Sequence, residues 1–118
     1  MKTENLIVDK SKCFALEIIK LYQFLCDEKK EYIMSKQILR SGTSVGANVR
    51  EGVRGQSKAD FYAKLHISLK EAEETEYWLE LLYESNYISK ERFDFIYSMN
   101  EEVIRILVSI TRTQKKNS

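Results

Sequence analysis

Apolar residues recur at alternating steps of four and three along most of this 118-residue chain, the spacing of one face of an α-helix. The pattern predicts four helices, at about residues 9–28, 35–55, 58–85 and 89–113. Connections of about two to six residues make neighbouring helices antiparallel. The sequence therefore predicts an all-α, up-down-up-down four-helix bundle, a single domain over residues 1–118 with a polar tail at 114–118.

Serine and asparagine mark the predicted helix ends. Ser35 and Ser89 are placed to cap the second and fourth helices, since a serine hydroxyl accepts a hydrogen bond from the first turn. Ser57 and Asp60 form a pair like a capping box at the start of the third helix. Asn86 then predicts a left-handed residue where that helix stops.

Composition supports a soluble helical domain. The chain has no proline and only four glycines. No apolar run reaches the roughly 18 to 20 residues of a membrane span, and the N-terminus lacks a secretory apolar stretch, so we expect a cytoplasmic protein without membrane association. Cys13 and Cys26 lie in apolar helical segments, which favours buried free thiols over disulfide or metal roles.

All four glycines fall between residues 42 and 55, although glycine inside a helix costs about 1 kcal/mol relative to alanine. Their spacing does not fit the P-loop, and the dinucleotide-binding motif requires a preceding strand that the sequence does not predict. On a helical wheel Gly42, Val45 and Gly52 fall on the core side, and Gly46 follows Gly42 at the small-residue spacing of closely packed helices. We therefore interpret the glycines as helix-packing positions, with Gly55 ending the helix.

Polar residues flank this packing face and need hydrogen-bond partners if they are buried. We expect a small buried polar cluster that ties the second helix to the third. Its candidates are Ser41, Ser44 and Asn48 on the second helix, and Ser68, Glu71 and Thr75 on the third.

The opposite side of the second helix carries a basic stripe. On the wheel its members cover about 80°: Lys36, Arg40, Arg50, Arg54 and Lys58. Such a stripe is either an ordinary solvated face or a surface that follows a phosphate backbone of RNA or DNA. No aromatic or base-reading pattern accompanies it, so sequence-specific recognition is not indicated.

Charge is distributed in blocks, although the net charge is only +1. Residues 34–70 contain seven basic and two acidic side chains, and residues 71–102 contain ten acidic and two basic ones. The last sixteen residues add four basic side chains and no acidic one. This asymmetry is compatible with a nucleic-acid face and with head-to-tail pairing of subunits. The default interpretation is that the charges form ordinary solvated helix faces.

The apolar stripes of the first and fourth helices are broad. A stripe wider than the core of one bundle suggests self-association through a second face. The alternative is that a small bundle simply has wide core faces.

Several residues resemble a known family. They are Gln37, Arg40, Ser41, Ser44, Val45, Asn48, Glu51 and Gly52, followed by Ala59-Asp60-Phe61, Ser68-Leu69-Lys70-Glu71, Glu74-Thr75 and Trp78-Leu79. The chain resembles the bacterial four-helix bundle proteins encoded in intervening sequences of large-subunit ribosomal RNA, over about residues 12–112. The accessory protein of diversity-generating retroelements is similar, and it forms a pentamer that binds nucleic acid and a reverse transcriptase.

The resemblance implies a homo-oligomer, in particular a pentamer, with a poorly defined function. Members of the family commonly have Ile-Ala-Glu-Gly where this chain has Val49-Arg50-Glu51-Gly52, so Arg50 adds positive charge. The accessory proteins are markedly more basic than this chain.

No pattern in the sequence indicates catalysis. His66 is the only histidine, and it lacks the upstream arginine of helical ribonucleases. The glutamates at 71–76 are not accompanied by a Glu-x-x-His motif, which a di-iron carboxylate site in a helix bundle requires. We expect a non-enzymatic protein without cofactor or metal, acting as an oligomeric nucleic-acid-associated scaffold. The alternative is a protein-binding assembly module, in which the basic stripe meets the acidic block of another subunit or of an unidentified partner protein.

Overall fold

The computed structural model describes the backbone of residues 2–116 and the side chains of residues 4–114. It contains four α-helices, α1 (Lys2–Asp27), α2 (Met34–Val53), α3 (Lys58–Glu84) and α4 (Lys90–Lys116). Each helix packs antiparallel on its neighbours in the sequence, and α4 closes the ring on α1. The protein is therefore an all-α, antiparallel four-helix bundle, 47 Å long and about 20 Å across.

The core consists of the apolar stripes that the periodicity predicts. Phe14, Ile18, Leu21 and Leu25 of α1 are fully enclosed. The other three helices contribute Ile38, Val45, Val49, Leu65, Ala72, Leu79, Leu82, Ile96, Val103 and Leu107. Burial of such side chains, worth about 1.5–3 kcal/mol each, is the main source of stability.

The helix ends agree with the predictions at three places. The Ser57 hydroxyl accepts a hydrogen bond from the Asp60 backbone N–H, and the Ser89 hydroxyl accepts one from Arg92. Asn86 adopts a left-handed backbone conformation with φ of 68°. These signals are local, because each serine cap joins residues three positions apart and the left-handed conformation concerns Asn86 alone.

Other helix bounds differ from the prediction. The first helix begins at Lys2 rather than at residue 9, because Ile7 continues the buried stripe of α1 by two further turns. The second helix begins at Met34 and ends at Val53, and Ser35 lies inside it. The fourth continues to Lys116, so the predicted polar tail starts as helix, and its residues 117–118 lie outside the described residues.

A buried glutamate replaces the predicted Ser35 cap. The Glu31 carboxylate accepts hydrogen bonds from the backbone N–H groups of Ile33, Met34 and Ser35, at 3.2, 3.1 and 2.7 Å. The Ser35 hydroxyl donates to the Glu31 carbonyl instead. A carboxylate satisfies several free N–H groups at once and also interacts favourably with the helix dipole.

Candidate functional site

Two of the three glycines of α2 lie against α1. A Cβ atom on Gly42 would come within 2.8 Å of the Ile18 side chain, and one on Gly46 would lie 3.3 Å from the Ser11 carbonyl oxygen. Gly52 instead faces α3, where a Cβ would meet the Leu65 side chain at 3.0 Å. The glycines thus allow α2 to approach both of its neighbours closely.

Hydroxyl groups connect α2 to α3 within the core. The Thr75 hydroxyl donates to the Ser41 hydroxyl at 2.8 Å, and the Ser68 hydroxyl donates to the carbonyl of Val45 at 2.8 Å. Ser44 and Asn48 do not take part, because the Asn48 amide donates to the Ser44 carbonyl within α2. The expected cluster therefore contains only some of its candidate residues.

The predicted basic stripe is divided along the bundle. Near the start of α2, the Arg40 guanidinium forms ion pairs with the carboxylates of Glu71 (3.0 Å) and Glu74 on α3. Lys36 is exposed one turn earlier, at the end of the bundle where α3 terminates in glutamates. The positive charge of Arg40 is thus compensated within the molecule.

This ion-pair cluster also includes an indole. The Trp78 Nε1–H donates to the Glu74 carboxylate at 2.9 Å. The indole hydrogen bond, together with Arg40, lowers the pKa of Glu74, and the bond to Glu74 raises the pKa of Arg40 further above its ordinary value. Both groups therefore remain ionised over the whole neutral range.

The other half of the stripe lies at the opposite end of the bundle, around the α2–α3 connection. Arg50, Arg54 and Lys58 are exposed, and none of them forms an ion pair among the described side chains. Lys64 lies on the second turn of α3, and its Nζ atom is 3.7 Å from the Glu51 carboxylate. Lys58 is the first residue of α3. It lies near Arg50 and Arg54 because the α2–α3 connection is short, and not because it shares a face of α2 with them.

Two surface grooves border the exposed half of α2. The first, of about 620 Å³, lies between α2 and α3, and its lining includes Arg50, Arg54 and Lys64. The second, of about 340 Å³, lies between α1 and α2. Ser11, Ala15 and Gly46 line it together with Lys12. Arg50 and Ala47 line both grooves, so α2 forms a low ridge between two cation-bordered surfaces.

The antiparallel topology concentrates opposite charges at the two ends of the bundle. The start of α1, the end of α2, the start of α3 and the end of α4 share one end, which we call the basic end. Among the side chains that the structure describes, the exposed cations at this end include Lys12, Arg50, Arg54, Lys58, Arg105 and Arg112.

Glutamates cluster towards the opposite end, which we call the acidic end. Burial and the neighbouring Glu76, Glu80 and Glu101 raise the pKa of Tyr97 on α4. Burial is the larger of these causes, and the nearby carboxylates add to it because they disfavour the charged phenolate.

Arg105 and Arg112 are the members of the basic end that helical-wheel reasoning on α2 missed. They lie on α4, seven residues apart and on the same helix face. The sequence does indicate a basic segment here, because residues 103–118 contain no acidic side chain. Only the tertiary fold brings that segment to the same end as Arg50 and Arg54.

The remaining chemically reactive residues do not converge. The exposed His66 makes a contact of 3.1 Å with the Gln114 side chain. Cys13 is exposed, contrary to the expected burial, because it lies on the α1 surface beside α4 rather than on the core stripe; Cys26 is half-buried. Within the part of the chain that the structure describes, no group of His, Cys, Asp or Glu residues is arranged to hold a metal ion.

None of the described helices combines the length and the apolarity that crossing a membrane requires.

The fold and charge distribution define a class of protein: a small four-helix bundle with one basic and one acidic end. The chain belongs to the family of 23S rRNA-intervening sequence proteins, whose model matches residues 3–109. The family assignment given by the sequence resemblance is thus confirmed. No curated protein shows a significant match.

A solved structure is similar over nearly the whole chain. It is a protein with unknown function from the S23 ribosomal protein family of Bacteroides thetaiotaomicron, with 54% sequence identity and a TM-score of 0.92. The match covers 93% of this chain and 98% of that one. Neither description names a catalytic activity.

Proposed function

We propose that this protein is a non-enzymatic, homo-oligomeric scaffold that associates with nucleic acid through its basic end. The observation that carries the proposal is the pair Arg50 and Arg54 along the groove between α2 and α3, with Lys58 exposed at the adjacent start of α3. None of the three forms an ion pair among the described side chains. Lys36 and Arg40 are excluded from the interface, since one lies at the acidic end and the other is compensated by Glu71 and Glu74.

The chemistry of the site favours contact with phosphates rather than with bases. Guanidinium groups bind phosphate oxygens in a bidentate manner, and each neutralised phosphate releases counterions. The groove between α2 and α3 has no aromatic lining residue on which a base could stack. Binding is therefore independent of sequence and strongly dependent on salt.

The family is named for sequences within 23S rRNA, so RNA in the bacterial cytoplasm is the first ligand to test. Titration of labelled RNA and DNA duplexes at about 50 and 200 mM salt gives affinity and salt dependence together. Arg50→Glu/Arg54→Glu removes two phosphate contacts and introduces repulsion. We expect it to weaken binding at least about tenfold and to reduce the slope of log affinity against log salt by about two.

The matched control is Lys30→Glu/Lys36→Glu, which makes the same change of charge at exposed positions of the acidic end. This variant should bind like the wild type. Equal weakening by both variants would mean that only the net charge matters, and unchanged affinity in the first variant would remove the basic end from the function.

Self-association is the second part of the proposal, and an apolar surface between α1 and α4 supports it. Leu16 and Phe95 are 51% and 55% exposed. Together with Cys13, Ile19 and Met99 they border a groove of about 460 Å³. Contiguous exposed apolar side chains of this kind mark association surfaces. Light scattering would give the number of subunits, and the pentamer that the resemblance implies is the number to test first.

The alternative function is a protein-binding assembly module without nucleic-acid affinity. It is favoured by the opposite charges of the two ends, since the basic end of one molecule complements the acidic end of another. In that case Arg50→Glu/Arg54→Glu would change the mass of the assembly, and wild-type protein would bind no RNA or DNA.

A further inference from the structure

A second cationic surface lies on α4, away from the grooves of α2. Arg105, Ser109, Arg112 and Thr113 are exposed there and border a shallow groove of about 540 Å³. Neither arginine forms an ion pair among the described side chains. The two guanidinium groups and the Ser109 hydroxyl provide donors for phosphate oxygens, whereas the Thr113 hydroxyl donates to the Ser109 carbonyl within α4.

The two cationic surfaces share the basic end but face different directions. In the ring of four helices α2 and α4 are diagonal to each other, on opposite sides of the common core. The bundle is about 20 Å across. A ligand on the α2 surface therefore cannot touch Arg105 and Arg112 without turning around the end of the molecule.

A stiff duplex cannot make that turn. The persistence length of duplex DNA is about 150 base pairs, which is far longer than the path around a bundle of this width. Simultaneous use of both surfaces thus requires two separate double-helical segments.

We infer that the α4 surface formed by Arg105 and Arg112 is a second phosphate-binding site, and that one bundle holds two duplex segments side by side. The inference rests on the proposed nucleic-acid association and adds a second site to it. The protein then acts as a bridge between helices of folded RNA, which a molecule with a single cationic face cannot do.

Energy transfer between two short duplexes, one labelled with a donor and one with an acceptor, measures bridging directly. Wild-type protein at low salt should bring the two labels together. Excess protein should abolish the transfer signal, because each duplex is then bound by a different protein molecule. Arg105→Glu/Arg112→Glu should still bind one duplex but lose the transfer signal. Arg105→Ala/Arg112→Ala should lose most of it, which guards against an effect of the new carboxylates.

Lys30→Glu/Lys36→Glu is again the control and should bridge normally, and light scattering verifies that all variants keep the wild-type mass. Bridging retained in both α4 variants would overturn the inference, because the bridge would then come from the α2 surfaces of different subunits. Duplex binding without bridging in the wild type would also overturn it while leaving the proposed function intact. Absence of any binding would overturn both.

Discussion

The hydroxyl of Thr75 on α3 lies 2.8 Å from the hydroxyl of Ser41 on α2, and neither side chain is accessible to solvent. The same threonine hydroxyl is also 2.8 Å from the carbonyl of Glu71, and Ser41 is within 3.5 Å of the Ile38 carbonyl. Because buried hydroxyls need partners, this pair fixes how α2 and α3 are aligned along their length.

Thr75→Val should therefore destabilise the bundle by about 1–2 kcal/mol, since it leaves the Ser41 hydroxyl with only a long bond to its own helix. Urea unfolding followed by circular dichroism measures the change. Thr113→Val, at an exposed position of α4, is the matched control and should have little effect. In a double-mutant cycle, Ser41→Ala should cost much less in the Thr75→Val background than in the wild type. Strictly additive costs would show that the pair is not coupled.

Gly42→Ala is the second prediction, and two opposing effects decide its sign. Alanine gains about 1 kcal/mol in helix propensity. Its Cβ, however, would lie 2.8–3.2 Å from three atoms of the buried Ile18 side chain, and overpacking of this kind costs about 1–3 kcal/mol. Because one of these atoms is the Ile18 Cβ, a rotamer change cannot relieve the contact fully. We expect net destabilisation in thermal unfolding.

The Ile18→Ala background provides the control for this prediction, since it removes the two nearest atoms. Gly42→Ala should be less harmful there than in the wild-type protein. If Gly42→Ala stabilises wild-type protein, the close approach of α1 and α2 at this position is not restrictive.

The fold could be predicted from sequence because helix periodicity and serine caps are local signals. The cap at Glu31 could not, because it depends on a loop that turns a carboxylate back over the first turn of α2. The exposure of Cys13 could not be predicted either, because the apolar stripe that contains this residue continues from the core onto the surface. Apolar periodicity identifies a helix face, but it does not tell where the core ends.

The candidate site was only partly predictable for a related reason. A helical wheel assigns Lys36, Arg40, Arg50 and Arg54 to one face, and it contains no information about the neighbouring helix. Glu71 and Glu74 neutralise Arg40 only because α3 runs antiparallel to α2. The same topology brings Arg105 and Arg112 to the end where Arg50 and Arg54 lie. Charge grouping of this kind is a tertiary property.

The Trp78–Glu74 hydrogen bond predicts a specific pH dependence. The folded pKa of Glu74 is lowered, so the ionised carboxylate contributes stability above its unfolded pKa, which is about 4.3. That contribution is lost as the pH falls through the lower folded pKa. Trp78→Phe should therefore be less stable than wild type at pH 7, and the difference should shrink progressively in acid.

Unfolding free energies measured by circular dichroism across this pH range test the prediction. Tyr77→Phe changes the exposed neighbouring ring and should give a difference from wild type that does not vary with pH. A constant offset for Trp78→Phe would mean that the indole contributes packing alone.

Glu31→Ala removes the acceptor for three backbone N–H groups at the start of α2 and should cost about 2 kcal/mol. Glu31→Gln keeps an acceptor oxygen but loses the charge, so its cost should be intermediate. Glu28→Ala is the control, because Glu28 is exposed in the same connection. Equal stability of the Glu28 and Glu31 alanine variants in urea would contradict the capping role.

The apolar surface between α1 and α4 leads to the last prediction. Leu16→Ser/Phe95→Ser removes two large side chains that are about half exposed in the single chain, so the fold should survive while association is lost. Light scattering should give the mass of one chain, 13.9 kDa, for this variant and a multiple of it for the wild type. Ile67→Ser/Tyr77→Ser removes comparably exposed apolar groups from α3 and should leave the assembly intact. A wild-type protein that is monomeric, or an α1–α4 variant that keeps its full mass, would show that this surface does not join subunits.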